Sequence, residues 1–222
     1  MNKRLLALLL ALVMVFSLCA CANDADKGDN GAEPTPSPTP APELELGTVT
    51  DGRIYENAYF GFGCELDDTW VYASEDELLS MVQTTADFVD DDDFKEELLN
   101  ADMFYDMQAV CYDGGMNINV VVENIGARYG RLLSEEDITD YNLSSLEAPL
   151  AAAGMDVQSM EKDTVVFAAE EHSGIKLHSI ISGIDMYQLI TNVKVGSYVA
   201  TITLSSTVEN DLYTMLGYFY EV

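Results

Sequence analysis

The chain changes character twice. Leu5 to Phe16 is apolar without a single charge, residues 22–43 hold no large apolar side chain, and from Ile54 onward apolar residues recur at secondary-structure spacing. In Tyr59–Leu66 they alternate, which places Phe60, Phe62, Cys64 and Leu66 on one face of a strand. Asp67-Asp68-Thr69 then turns into Trp70, the only tryptophan, expected to plug the core at a sheet end. Ser74 and Glu77 form a capping box for a helix whose apolar face is Leu78, Leu79, Val82 and Ala86. Asp90–Asp93 read as acids favoured by the dipole of a helix over Phe94–Asn100, because their spacing lacks the Gly and Glu of a calcium loop.

Met103–Tyr112 and Met116–Asn124 are predicted to pair as a hairpin through Asp113-Gly114-Gly115. Asn117 and Asn119 would lie on its wetter face, or under a polar helix. Ser134 starts a helix with Glu135, Glu136 and Asp137 in its first turn; Pro149 should kink or restart it and Gly154 end it. The rest is mostly strand. Asp156–Glu161 and Thr164–Glu171 are expected to pair around Lys162-Asp163, Ile175–Ser182 and Met186–Val193 around Gly183, and Tyr198–Ser205 follows Gly196. Ser206 and Glu209 introduce a last helix carrying Leu212, Met215, Leu216 and Phe219. Strands outnumber helices, neighbours are joined by short turns and no β-α-β rhythm appears. The predicted class is α+β: a mainly antiparallel sheet flanked by helices, apolar on both faces and covered on both.

The first segment has a different purpose. Lys3 and Arg4 precede the apolar run, which is too short to span a bilayer, where about 20 residues are needed. Leu18-Cys19-Ala20-Cys21 then reads as a lipobox, and residues 1–21 resemble bacterial lipoprotein signals. The resemblance implies cleavage before Cys21 and acylation of its thiol. Residues 1–20 are thus read as signal peptide and 21–51 as lipidated cysteine plus linker. A single globular domain occupies 52–222. The linker places Pro at every second position from Pro34 to Pro42, and all six prolines but Pro149 lie there. Such a stretch cannot build a core and is expected to be disordered and extended, reaching ~28 Å at about 3.1 Å per residue.

Charge narrows the field. The net charge is −29, and loss of residues 1–20 removes Lys3 and Arg4 and leaves the remainder more acidic still. Nucleic-acid binding is disfavoured, because affinity there comes from neutralising phosphates. Cys64 and Cys111 remain after Cys19 and Cys21 are accounted for, as two buried thiols or, less favoured, a disulfide. No C-x-x-C, H-E-x-x-H, Walker or dinucleotide fingerprint occurs, so no cofactor is indicated. The candidate chemistry is thin. Glu170, His172 and His178 could make a weak metal site if a hairpin brought them together. Arg128 and Arg131, with His172, could form a ligand or partner surface.

Tyr55-x-Asn57-x-x-Phe60-Gly61-Phe62 with Trp70 resembles the opening of PsbP-like domains in bacterial lipoproteins. Val166-Phe167-Ala168, Tyr187-Gln188 and Tyr198-x-Ala200-x-Ile202-Thr203 resemble their closing part. The likeness spans 52–222 and implies an α/β/α sandwich, with no catalytic residue to carry over. The preferred reading is a lipid-anchored, extracytoplasmic module of a Gram-positive type envelope. It acts on an unknown envelope partner without catalysis. A metal-assisted hydrolase and a solute-binding lipoprotein are the alternatives.

Overall fold

A computed structural model describes residues 44–86 and 103–222. The signal, Cys21, the Pro-rich stretch, Asp90–Asp93 and the helix expected over Phe94–Asn100 lie outside the described residues. The elements, in chain order, are β1 (Thr48–Thr50), β2 (Ile54–Asn57), β3 (Phe62–Glu65), β4 (Trp70–Tyr72), α1 (Glu75–Ala86), β5 (Met103–Cys111) and β6 (Met116–Asn124). Then come α2 (Gly126–Leu132), α3 (Glu135–Ser145), α4 (Glu147–Ala152), β7 (Met155–Phe167), β8 (Glu170–Ile181), β9 (Ile184–Val195), β10 (Tyr198–Ser206), α5 (Glu209–Leu216) and β11 (Phe219–Glu221).

The strands form two sheets, ordered β4-β5-β6-β10-β9-β8-β7 and β1-β2-β3-β11. Among the described residues every pairing is antiparallel. The α+β class expected from the sequence is therefore what the chain adopts, and no βαβ lobe is present among these elements. No described helix is long and apolar enough to cross a membrane.

The large sheet is covered on both faces, as its residue pattern requires. One face carries Met107 and Ala109 of β5, Val120 and Val122 of β6, and Ala200, Ile202 and Leu204 of β10. These pack under the small sheet (Tyr55, Phe62, Cys64) and under Leu212 and Met215 of α5, with Trp70 in the same core. The other face carries Ile175, Leu177, Ile181, Met186 and Ile190, under Leu146 and Leu150 at the α3–α4 junction. Pro149 sits in the first turn of α4, where its missing N–H costs nothing, so the helix restarts at Glu147.

Several expectations are corrected. Lys162-Asp163 is not a turn: β7 runs unbroken through it, and the turn falls at Ala168-Ala169, both with positive φ. Two alanines give no turn signal, whereas Lys-Asp does. Phe219 is not helical but pairs with Cys64 as part of β11. Ser206 does not box with Glu209; its hydroxyl accepts from Val208 N–H and donates to Asp211. Asn117 and Asn119 are fully buried rather than wet. They lie in register with Gln108 of β5 and Ser205 of β10, a buried polar strip in which Asn119 Nδ2 donates to Asn117 Oδ1 and Gln188 Nε2 to the Ser205 hydroxyl. Cys64 and Cys111 are both free and buried, and burial pushes the Cys64 thiol up to about 12, which keeps it protonated and unreactive.

The fold also starts before residue 52. Leu44 packs on the main core, β1 pairs with β2, and Gly47 N–H donates to Asp106 at 2.9 Å. Asp106 sits at a bulge in β5, where the register shifts between Tyr105 and Met107. Its buried carboxylate also accepts from Tyr55 Oη at 2.5 Å and Asn57 Nδ2 at 2.8 Å. Burial first, then the Asp106 charge, raise the Tyr55 phenol well above its usual range, so it remains a donor.

Replacing Asp106 by Ala orphans three donors, two of them on buried side chains, and should lower stability by about 3 kcal/mol or more. Tyr55→Phe should cost about 1–2 kcal/mol, and the double substitution less than the sum. Urea unfolding followed by Trp70 fluorescence reads both, and additive losses would show that the two groups do not act together.

Candidate functional site

Polar chemistry concentrates where β8 and β9 part. Their ladder ends at Gly174↔Thr191, and a Cβ on Gly174 would lie 2.6 Å from Val165 Cγ2 and 2.9 Å from the Ile190 carbonyl, so only glycine closes it. Beyond this point their pairing stops, and α3 bonds both strands. The helix is placed by Ser134, whose side chain caps Asp137 N–H while Asp137 returns a bond to Ser134 N–H, a complete capping box. That fixes Glu135 in the first turn. One of its carboxylate oxygens accepts from Lys194 N–H of β9 at 2.8 Å, and the other lies 2.9 Å from His172 Nδ1 of β8. His172 also bonds the backbone of Asn192. A buried seam continues inward: Asn192 Nδ2 donates to Thr139 Oγ1, and Thr201 Oγ1 donates to Asn192 Oδ1.

His172 is 8% exposed, which by itself would favour the neutral ring. The Glu135 carboxylate outweighs that desolvation, with a smaller push from the Glu170 charge, and raises the imidazole above its ordinary range. The ring also meets Phe167 edge-on at 6.0 Å between centroids. Outward of the pair lies a cleft of about 170 Å³ lined by Phe60, Phe62, Phe167, Glu170, His172 and Glu221 among others. Ligand pockets usually measure roughly 300–1,000 Å³. This cleft is too small to enclose a solute, though it can receive one side chain or the end of a group.

The sequence candidates separate in space. Glu170 and His172 share the cleft wall. His178 sits on the same strand six residues on, ~20 Å away at about 3.3 Å per residue. There it stacks on Tyr187 at 4.5 Å and pairs with Asp185 at 2.8 Å. No hairpin brings it to His172, because both histidines belong to β8. Among the described residues no three His, Cys, Asp or Glu side chains are grouped to hold a metal. Arg128 and Arg131 are exposed on α2; Arg131 Nε donates to the Ala127 carbonyl of its own helix, and neither arginine lines the cleft. Their helix is held against the β9–β10 turn at Gly130, where a Cβ would come within 2.6 Å of the Gly196 carbonyl. Glu135 was missed in the sequence, where it reads as a routine helix-start acid; nothing local tells that it faces a histidine 37 residues away.

A raised folded-state value means that protonated His172 contributes stability at pH below the unfolded value of about 6.5, and that this is lost as pH climbs through the folded value. Unfolding midpoints in urea should therefore fall between slightly acid and alkaline pH, and His172→Gln should flatten that dependence. An unchanged slope in the variant would locate the titration elsewhere.

No family model matches the chain, and no curated protein matches it. Among solved structures, it is similar to the cyanobacterial PsbP of Synechocystis sp. PCC 6803, with 11% identity, a TM-score of 0.45, and 81% of this chain and 99% of that chain covered. It is also similar to LpqN, described as involved in cell envelope biogenesis of Mycobacterium tuberculosis. There the identity is 7%, the TM-score 0.36, and 70% of this chain and 76% of that chain are covered. Both are likenesses of chain path with TM-scores below 0.5 and say nothing of what this protein does.

Proposed function

We propose that this protein is a lipid-anchored, extracytoplasmic interaction module of a Gram-positive type envelope. It meets its partner through the end of the large sheet that carries the His172 cleft. The observation that carries the reading is the state of His172. Glu135 of α3 holds the nearly buried ring at Nδ1, so it serves as a strut between β8 and that helix. A metal site would need further ligands beside the ring, and among the described residues no three such side chains are grouped. What faces outward is a shallow wall of aromatic and acidic groups, a shape suited to docking. The lipobox supports the location: acyl chains on Cys21 hold the protein at the bilayer, and the Pro-rich stretch keeps an acidic domain off an acidic surface.

Mass analysis of the protein from its native cells should find an N-terminal peptide beginning at an acylated Cys21. Cys21→Ser should move the protein out of the membrane fraction. A bare Cys21, or an uncut precursor held in the cytosol, would overturn the reading of place and tether together.

A further inference from the structure

We propose that the outer edge of β7 is a strand-addition site for an extended, basic segment of another protein. β7 is 13 residues long, closes one side of the seven-stranded sheet, and pairs among the described residues with β8 alone. The register of β7 shifts between Val157 and Ser159, so the regular edge among the described residues runs from Ser159 to Phe167, ~30 Å at about 3.3 Å per residue. The other sheet ends are β4, β1 and β11, of three residues each. Short ends are the usual protection against edge pairing, and β7 lacks it.

The backbone facing outward can be identified. Thr164 N–H donates to the side chain of its neighbour Asp163 at 2.8 Å. The two-residue turn Ala168-Ala169 makes Phe167↔Glu170 a hydrogen-bonded closing pair, and the pairs alternate from there. Thr164↔Ser173 is thus a non-hydrogen-bonded pair, and alternation gives Met160, Lys162 and Val166 the same outward set of N–H and C=O groups. Side chains along the edge are exposed from Glu161 to Thr164, and Val166 is 60% exposed.

Charge selects the occupant. Asp156, Glu161 and Asp163 are exposed along the strand. The one cation, Lys162, is neutralised by Glu136 at 2.8 Å and Asp140 at 2.7 Å of α3. The edge is therefore net negative on a chain of charge −29. A second copy would bring like charges opposite one another, which destabilises a strand pair, whereas a lysine- or arginine-rich strand is matched. The main-chain bonds supply affinity and the side chains the choice of partner.

The site goes beyond the cleft and does not involve the tether, so its test fails or succeeds independently of theirs. The chain from residue 21 onward, with Cys21→Ser, is titrated with a fluorescent 11-residue peptide of alternating lysine and valine. A second peptide of equal charge is N-methylated at every other residue. The plain peptide should bind at least tenfold tighter than the methylated one and slow hydrogen exchange at Met160, Lys162 and Val166. Val166→Pro removes one outward N–H and should weaken binding about tenfold, while Val166→Thr keeps that N–H and should bind like the parent; near-ultraviolet circular dichroism checks that both variants fold. Equal binding of the two peptides would leave charge alone as the cause and overturn the proposal. So would equal binding by the Pro and Thr variants, or self-association through β7 that the peptide does not displace.

Discussion

A single buried carboxylate joins the two sheets. Asp106 projects from a bulge in β5 and gathers donors from β2 and from the segment before β1. A charge taken out of water is tolerable only when its lone pairs are met. Each donor it recruits belongs to the small sheet or its approach, so satisfying the carboxylate and docking that sheet are the same event. The aromatic core then closes around it: Phe62 meets Phe167 at 5.1 Å and Phe167 meets Phe219 at 4.6 Å, linking β3, β7 and β11.

The same logic operates at the other polar cluster. Glu135 reaches from α3 to the ends of β8 and β9 and holds both, one by a backbone N–H and one by an imidazole. Asp106 ties sheet to sheet, and Glu135 ties helix to sheet. Between them the large sheet is fixed on both faces, leaving its long edge at β7 without a cover among the described residues. The surfaces proposed for partners, the cleft wall and that edge, meet at the β7–β8 turn. Function would then be concentrated where pairing runs out, as is usual for groups that must meet something external.

Particular residues show how far local pattern reached. The alternation of Phe60, Phe62, Cys64 and Leu66 was legible because a half-buried strand has a strict period of two, and all four are buried. The Ser134–Asp137 cap and the β5–β6 hairpin were legible because caps and glycine turns are local chemistry. The Ala168-Ala169 turn was not, since alanine carries no preference for positive φ and Lys162-Asp163 imitates a loop. Nor was β11, whose three residues follow a helix closely enough to read as its last turn. His172 was singled out, but its partner was not, and His178 was grouped with it on the assumption of a hairpin that does not fall between them.

Sequence alone determined the class of fold, the presence of two covered sheet faces, and the expectation of a signal, a lipid-bearing cysteine and a spacer, because these rest on periodicity, composition and contiguous motifs. Tertiary structure alone decided which acid meets which histidine, that Asp106 is buried, that amides at Asn117 and Asn119 face an interior, and which strand is left at the edge. Those facts depend on strand order and on contacts between residues 26 to 59 positions apart, and no local preference encodes a pairing across such distances.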